Sequence, residues 1–216
     1  MLFRSRFFYL RSPITAMRTQ VEEALMYPDD TDWPRTANAM LAGTERLQAI
    51  VADLLTLARL DAGAPLCRES TDLAELVGIE LDSRPHRVEV IRNLQQGVFT
   101  QCDRLKIARL VTNLIDNAER HAETQITVIV CDDGSLAVLE VADDGAGIAV
   151  ELRQAVFERF TRLEDSRERD PGGTGLGLAI ARQIAEAHHG TLTIEDSARG
   201  ARFVLRLPRC DAPLSP

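Results

Sequence analysis

Asn113-Leu114-Ile115-Asp116-Asn117-Ala118-Glu119-Arg120-His121 closes a strongly amphipathic stretch, and its reading decides the fold. Apolar residues recur with helical period over Asp103–Ala122, so the whole stretch is expected to be one helix. Asn113 and Asn117, four apart, then project from one face. Facing an anion, an amide oxygen can hold a metal ion while its NH₂ donates a hydrogen bond. Mg²⁺ takes oxygen ligands and needs few from protein when phosphates supply the rest. Arg120, a turn further on, can pair with a phosphate. The same two asparagines also suit an ordinary solvated helix face.

Three more short motifs follow in the next sixty residues or so. Asp143-Asp144-Gly145-Ala146-Gly147-Ile148 comes directly after an Ile- and Val-rich strand. A carboxylate at a strand end can accept from an exocyclic amine such as adenine N6, and glycines let backbone approach a flat ring. A tight loop chosen for turn geometry reads the same way. Phe157-Glu158-Arg159-Phe160 precedes a polar stretch, Arg162–Pro171, without apolar periodicity. A loop of that length in a compact domain is either a lid or a plain surface loop. Gly172-Gly173-Thr174-Gly175-Leu176-Gly177-Leu178 runs straight into a helix. Free N–H groups and the helix dipole there favour phosphate. The spacing excludes a P-loop and disfavours a dinucleotide fingerprint.

Around these motifs the pattern is mixed. A short helix is expected over Asp72–Leu81, with Thr71 or Asp72 near its start. Strands are expected over Arg87–Leu94, Val98–Gln101, Gln125–Cys131, Leu136–Ala142, Leu192–Glu195 and Ala201–Leu207. A hairpin turn falls at Asp132–Ser135, and a last helix over Leu176–His189 is closed by Gly190 as a left-handed stop. His188 and His189, at its C-terminus, are placed where imidazolium is favoured. The mixture implies an α+β sandwich, one sheet with helices on one face.

The first sixty residues differ. Phe3, Phe7, Leu10, Ile14, Met17, Val21 and Ala24 form a heptad seam ending at Tyr27-Pro28-Asp29-Asp30. Ala37, Met40, Thr44, Leu47, Val51, Leu54 and Ala58 form a second seam, after Trp33-Pro34 with Thr31 or Asp32 as cap. Two helices cannot bury such wide stripes alone, so a dimer closing a four-helix bundle is expected, either a homodimer or a pair with a similar hairpin. The domain plan is a hairpin over 1–62, a linker over 63–70, a second domain over 71–209 and a tail over 210–216.

Bulk properties are those of a globular chain: 216 residues, 45% hydrophobic and 27% charged. The net charge of −8 argues against a nucleic-acid partner. Cys67, Cys102, Cys131 and Cys210 are far apart, which disfavours a zinc site or disulfide framework and suits buried or inert thiols. No apolar run approaches the roughly 18–20 residues of a membrane span, so the segment is expected to be cytoplasmic, whether or not it belongs to a longer membrane protein.

The four motifs, in this order, resemble the N, G1, F and G2 boxes of the ATP-binding domain shared by histidine kinases, gyrase-type topoisomerases, mismatch-repair ATPases and related chaperones. The resemblance runs from about Thr71 to Pro208. It implies that Asn117 coordinates Mg²⁺, that Asn113 and Arg120 face the phosphates of ATP, and that His121 lies at the edge of the site. It implies that Asp143 reads adenine N6, with Gly145, Gly147 and Ile148 lining the base. It implies that Phe160, Gly173, Thr174, Gly175, Leu176 and Gly177 belong to the lid that closes over the phosphates. Gly200-Ala201-Arg202-Phe203 is similar to the family's G-[TS]-x-F, with Ala201 in place of a hydroxyl residue.

Leu10-Arg11-Ser12-Pro13-Ile14-Thr15 resembles the tail of the phosphoacceptor box of sensor histidine kinases, H-E-L-R-[ST]-P-[LI]-T. Counting back, the histidine position holds Phe8 and the neighbouring acidic position Tyr9. A phenyl ring has no lone pair with which to attack phosphorus. The resemblance therefore implies either a kinase acting on a histidine of a partner hairpin, such as a second histidine kinase, or a pseudokinase whose nucleotide regulates docking. A response regulator receiver domain is the implied downstream partner of both.

Overall fold

The structure, a computed structural model, describes residues 3–161 and 174–212, with side chains from residue 14 onward. The side chains of Phe8 and Tyr9, and all of Gly173, lie outside the described residues.

Helices α1 (Phe3–Met26) and α2 (Trp33–Asp61) form the expected hairpin. Asp32 caps α2 by accepting from the Arg35 N–H at 3.0 Å, and Pro34 sits in the first turn, where its missing N–H costs nothing. Met17 of α1 lies on Gly43 of α2, where a Cβ would come within 2.5 Å of its sulfur. The Thr44 hydroxyl reaches the same sulfur at 4.0 Å. Among the described side chains of the hairpin only Ala24, Ile50 and Leu57 are buried; Ile14, Met40, Leu41, Val51 and Leu55 are exposed. Full burial of each large side chain would contribute about 1.5–3 kcal/mol, so the single hairpin leaves its stripe unsatisfied.

The first strand of the second part overlaps the end of the expected 63–70 linker. A short strand β1 (Glu69–Asp72) pairs antiparallel with β3 (Phe99–Cys102). Asp72 then caps α3 (Leu73–Asp82), accepting from Ala74 and Glu75 N–H. Strand β2 (Glu89–Leu94) precedes β3, and Asp103 caps α4 (Arg104–His121). A hairpin of β4 (Gln125–Asp133) and β5 (Leu136–Asp143) turns at Gly134-Ser135. After two 3₁₀ turns at Val150–Leu152 and Ala155–Phe157 come α5 (Gly177–Ala187), β6 (Thr191–Glu195) and β7 (Arg202–Pro208).

Five strands make one sheet in the order β2-β4-β5-β7-β6. The β2–β4 pair is parallel and the rest are antiparallel. Alternation decides the faces. Ile126, Val128 and Val130 of β4, Ala137, Leu139 and Val141 of β5, and Phe203, Leu205 and Leu207 of β7 are buried in one core. The stripe Ile107, Leu110, Val111, Leu114, Ile115 and Ala118 of α4 joins them, together with Ile180, Ala181, Ile184 and Ala185 of α5. The opposite sheet face carries Glu140, Glu195, Arg202 and Arg206 in an ion-pair cluster. Helices on one face of one sheet is the α+β sandwich that the sequence implies.

Two expectations at the end of α5 are corrected. His189, not Gly190, takes the left-handed conformation, at φ 59°. Gly190 is required for a different reason: a Cβ there would overlap the Arg206 carbonyl of β7 and meet Leu207. His188 is not an imidazolium at a solvated helix end. It is buried; Nδ1–H donates to the Ile184 carbonyl at 2.7 Å, and Nε2 accepts from the Asp103 N–H at 3.0 Å. An acceptor nitrogen carries no proton, and burial pushes the pKa below its ordinary 6.5. The ring ties the end of α5 to the start of α4. Among the cysteines only Cys102 is buried; Cys67 is exposed, and all four are free thiols.

Candidate nucleotide site

The site is assembled where α4, the β5 end, the β6–β7 turn and the start of α5 converge. Asp143 is its buried anchor. Its Oδ1 accepts from the Gly145 N–H at 3.0 Å and the Ala201 N–H at 3.2 Å. Its backbone N–H donates to the Ala201 carbonyl at 3.0 Å. Its Oδ2 is buried with no hydrogen-bond partner. Burial raises the carboxyl pKa, and the two backbone N–H groups work against that rise. An unpaired buried acceptor costs about 1–3 kcal/mol, so this oxygen is suited to a donor arriving from outside.

The surrounding glycines are spatial requirements. A Cβ at Gly145 would overlap the His121 carbonyl at the end of α4, and one at Gly147 would come within 2.9 Å of the Gly200 carbonyl. Gly200, at φ 70°, lies against Asp143 itself. Ile148 is half-buried and packs against the core. His121 and Arg120 are exposed at the helix end.

Asp144 holds the junction between α4 and β4. Its carboxylate accepts from the N–H groups of Glu123 (2.8 Å), Thr124 (3.0 Å) and Gln125 (3.2 Å), and from the Thr124 hydroxyl at 2.5 Å. These bonds, the hydroxyl first, hold its pKa far below the usual carboxylate range. In the sequence Asp144 reads as a turn residue; its role lies in partners about twenty residues away.

Asn113 and Asn117 stand one turn apart beside the buried stripe of α4. The Asn113 amide donates to the Gly177 carbonyl at 3.1 Å, linking α4 to the first residue of α5. Among the described residues the Asn117 side chain has no hydrogen-bond partner, so its amide is available. The Phe160 N–H donates to the Gly175 carbonyl at 2.8 Å, joining the third motif to the fourth. Phe157 anchors that segment edge-on to Phe203 at 6.3 Å, with Arg182 of α5 over its ring at 5.4 Å. Leu176 is buried, while Thr174, Gly175 and Gly177 are half-buried.

Residues 102–211 match the family described as histidine kinase-, DNA gyrase B-, and HSP90-like ATPase, and residues 10–63 match the His kinase A (phospho-acceptor) domain. The chain belongs to the histidine kinase family. The "Probable sensor histidine kinase TcrY" of Mycobacterium tuberculosis is 37% identical over 92% of this chain and 43% of the relative. The sensor protein RstB of Escherichia coli is 35% identical over 92% of this chain and 46% of the relative. The chain thus spans less than half the length of these two relatives. The Acinetobacter baumannii histidine kinase AdeS shares the fold, with a TM-score of 0.71 over 92% of this chain and 96% of that one, at 24% identity. The hairpin followed by the sheet domain is therefore a histidine kinase core of two-component signalling, and its second domain is of the ATP-binding type. Among the described residues no helix is long and apolar enough to cross a membrane.

Proposed function

We propose that this histidine kinase core binds Mg-ATP between α4 and α5 and supplies its terminal phosphoryl group to a histidine on a partner hairpin. The observation that carries the reading is Asp143, whose Oδ1 is saturated by two backbone N–H groups while Oδ2 is buried without a partner. Adenine N6 supplies the missing donor. Guanine presents a carbonyl oxygen there, which a carboxylate repels, so the site selects adenine. Gly145 and Gly147 let the loop pack directly on the backbone of His121 and Gly200 and so hold it beside the base, and Ile148 offers an apolar edge. The phosphates extend toward Thr174, Gly175 and Gly177, where the N–H groups at the start of α5 and the helix dipole favour negative charge. The Asn117 amide oxygen fits a magnesium ligand, and Arg120 reaches the phosphates from the end of α4. Magnesium bound there neutralises phosphate charge during transfer. A solved relative of the same fold, ShkA, was determined in complex with AMPPNP.

Phe8 directs the acceptor elsewhere. Its own hairpin lacks the histidine, so transfer goes to another chain with a similar hairpin. The exposed stripe of Ile14, Met40, Leu41, Val51 and Leu55 supports pairing into a four-helix bundle, with a second copy or with such a kinase. A response regulator receiver domain is the downstream partner, and the cytoplasm is the compartment. Phe8 equally favours a second reading, in which nucleotide binding sets the hairpin's conformation for docking without transfer.

Incubation with γ-labelled ATP tests both. The unmodified chain alone stays unlabelled. Label appears on an added histidine-bearing hairpin in the first reading and not in the second. Stable label on the unmodified chain alone would reject both.

A further inference from the structure

One face of the last third of α2 packs on the second domain, while Leu55 on the same segment stays exposed. Ile50 and Leu57 are buried in the core of the second domain, with Leu54 and Leu60 packed against it. Two carboxylates on the same helix face fasten this contact. Asp61 accepts from Arg159 at 2.6 Å and from Gln183 of α5 at 2.7 Å. Asp53 is the more informative. Its Oδ1 accepts from Arg109 of α4 at 2.5 Å, and its Oδ2 accepts from the Thr174 hydroxyl at 3.1 Å. Its side chain is only 15% exposed.

Both partners belong to the nucleotide side of the domain. Arg109 precedes Asn113 by one turn of α4, and Asn113 is tied to Gly177. Thr174 opens the glycine turn that leads into α5, and its hydroxyl also accepts from the Leu176 N–H at 3.3 Å. A guanidinium and a hydroxyl at a helix-opening glycine turn are the donors that an anionic oxygen of a phosphate would use. In this chain a carboxylate from the hairpin already occupies them.

The height on the hairpin is also informative. Met17 lies against Thr44. Nine residues back along α1 is Phe8, and nine residues forward along α2 is Asp53. In an antiparallel pair with equal rise per residue, the two positions share one level. Asp53 thus fastens the glycine turn to the hairpin at the level of the acceptor position.

We propose that the Asp53 carboxylate is an internal anion seated where the terminal phosphate of ATP binds, so that docking of α2 and binding of triphosphate oppose each other. Arg109 and Thr174 exchange Asp53 for the incoming phosphate, and the hairpin is released from the domain. ADP has no terminal phosphate and leaves the contact in place. The inference rests on the reading of the glycine turn as the phosphate end of the site. Because coupling between two binding events is reciprocal, it reads out directly as an affinity ratio.

The test is calorimetric titration of ATP and ADP, each with magnesium, into the unmodified chain, Asp53→Asn and Arg109→Gln. Asp53→Asn should raise the preference for ATP over ADP by about fivefold or more, the lower end of such couplings. Arg109→Gln should lower it, and unchanged ADP affinity in Asp53→Asn is the control for folding. Hydrogen exchange in Ile50–Asp61 should quicken with ATP and not with ADP. An unchanged ATP-to-ADP ratio in both variants overturns the exchange while leaving the nucleotide site standing. Failure of the unmodified chain to bind either nucleotide removes the site itself, and the exchange with it.

Discussion

Replacing Gly200 with alanine isolates the geometry around Asp143. Gly200 has φ 70°, and a Cβ there would overlap the Asp143 carbonyl and lie 2.7 Å from its Oδ1. Gly134 has a similar φ of 62° with nothing within 4 Å of its Cβ position. Alanine at either position incurs the left-handed strain of about 1–2 kcal/mol. At Gly200 the overlap must also push the β6–β7 turn away, which removes the Ala201 N–H bond to the carboxylate. A hydrogen bond to a charged group contributes about 1.5–3 kcal/mol. Gly200→Ala should therefore destabilise by about 2.5–5 kcal/mol, as the sum of these two costs, and Gly134→Ala by the strain alone. Denaturant unfolding measures both. Because the displaced turn re-aims Oδ2, ADP affinity should fall about tenfold or more, a loss of at least 1.4 kcal/mol, in Gly200→Ala only. Equal stability loss in the two variants, with equal ADP binding, would refute the claim that Gly200 shapes the carboxylate's seat.

Asp143→Asn turns Oδ2 into either an amide donor or a neutral acceptor, and adenosine and ADP affinity should fall roughly 10- to 100-fold, the scale of one charge-assisted hydrogen bond. Unchanged affinity would remove Asp143 from the base site. Asn117→Asp should weaken Mg-ATP binding more than metal-free ADP binding, because it alters charge where the metal sits; equal effects would reject that assignment. His188 has a folded pKa below the 6.5 of the unfolded chain. Below that pH the unfolded chain takes up a proton that the folded chain refuses, so its contribution is present above about 6.5 and shrinks as pH falls. His188→Asn should flatten the fall in melting temperature between pH 7 and 5, and an unaltered slope would contradict a neutral buried ring. Leu41→Glu with Leu55→Glu should shift the chain from dimer to monomer in analytical ultracentrifugation; persistence of the dimer would move the interface elsewhere.

Local order in the sequence made most of the fold legible. The stripe Ile107–Ala118 and the alternation Ile126-Val128-Val130 each carry their period within a few residues, and burial follows period. The heptads of α1 and α2 specified a hairpin for the same reason. The proposed site is legible where its candidate residues cluster in short motifs: Asp143 with Gly145 and Gly147, Asn113 with Asn117, Thr174 with Gly175 and Gly177. What stayed hidden depends on distant pairings. Asp144 reads as a turn residue until residues 123–125 fold onto it. β1 is four residues long, with no apolar alternation of its own, and exists because β3 pairs with it. The exchange of roles between His189 and Gly190 is decided by the closeness of β7. Asp53 lies in a stretch that signals only helix; its contacts with Arg109 and Thr174 depend on how α2 docks, which no local pattern encodes.

Calorimetry with magnesium and ADP addresses the pocket most directly. One nucleotide should bind per chain, with adenine preferred over guanine, and Asp143→Asn should abolish that preference. Indifference between the two bases in the unmodified chain, or no binding of either, would contradict the account at its root.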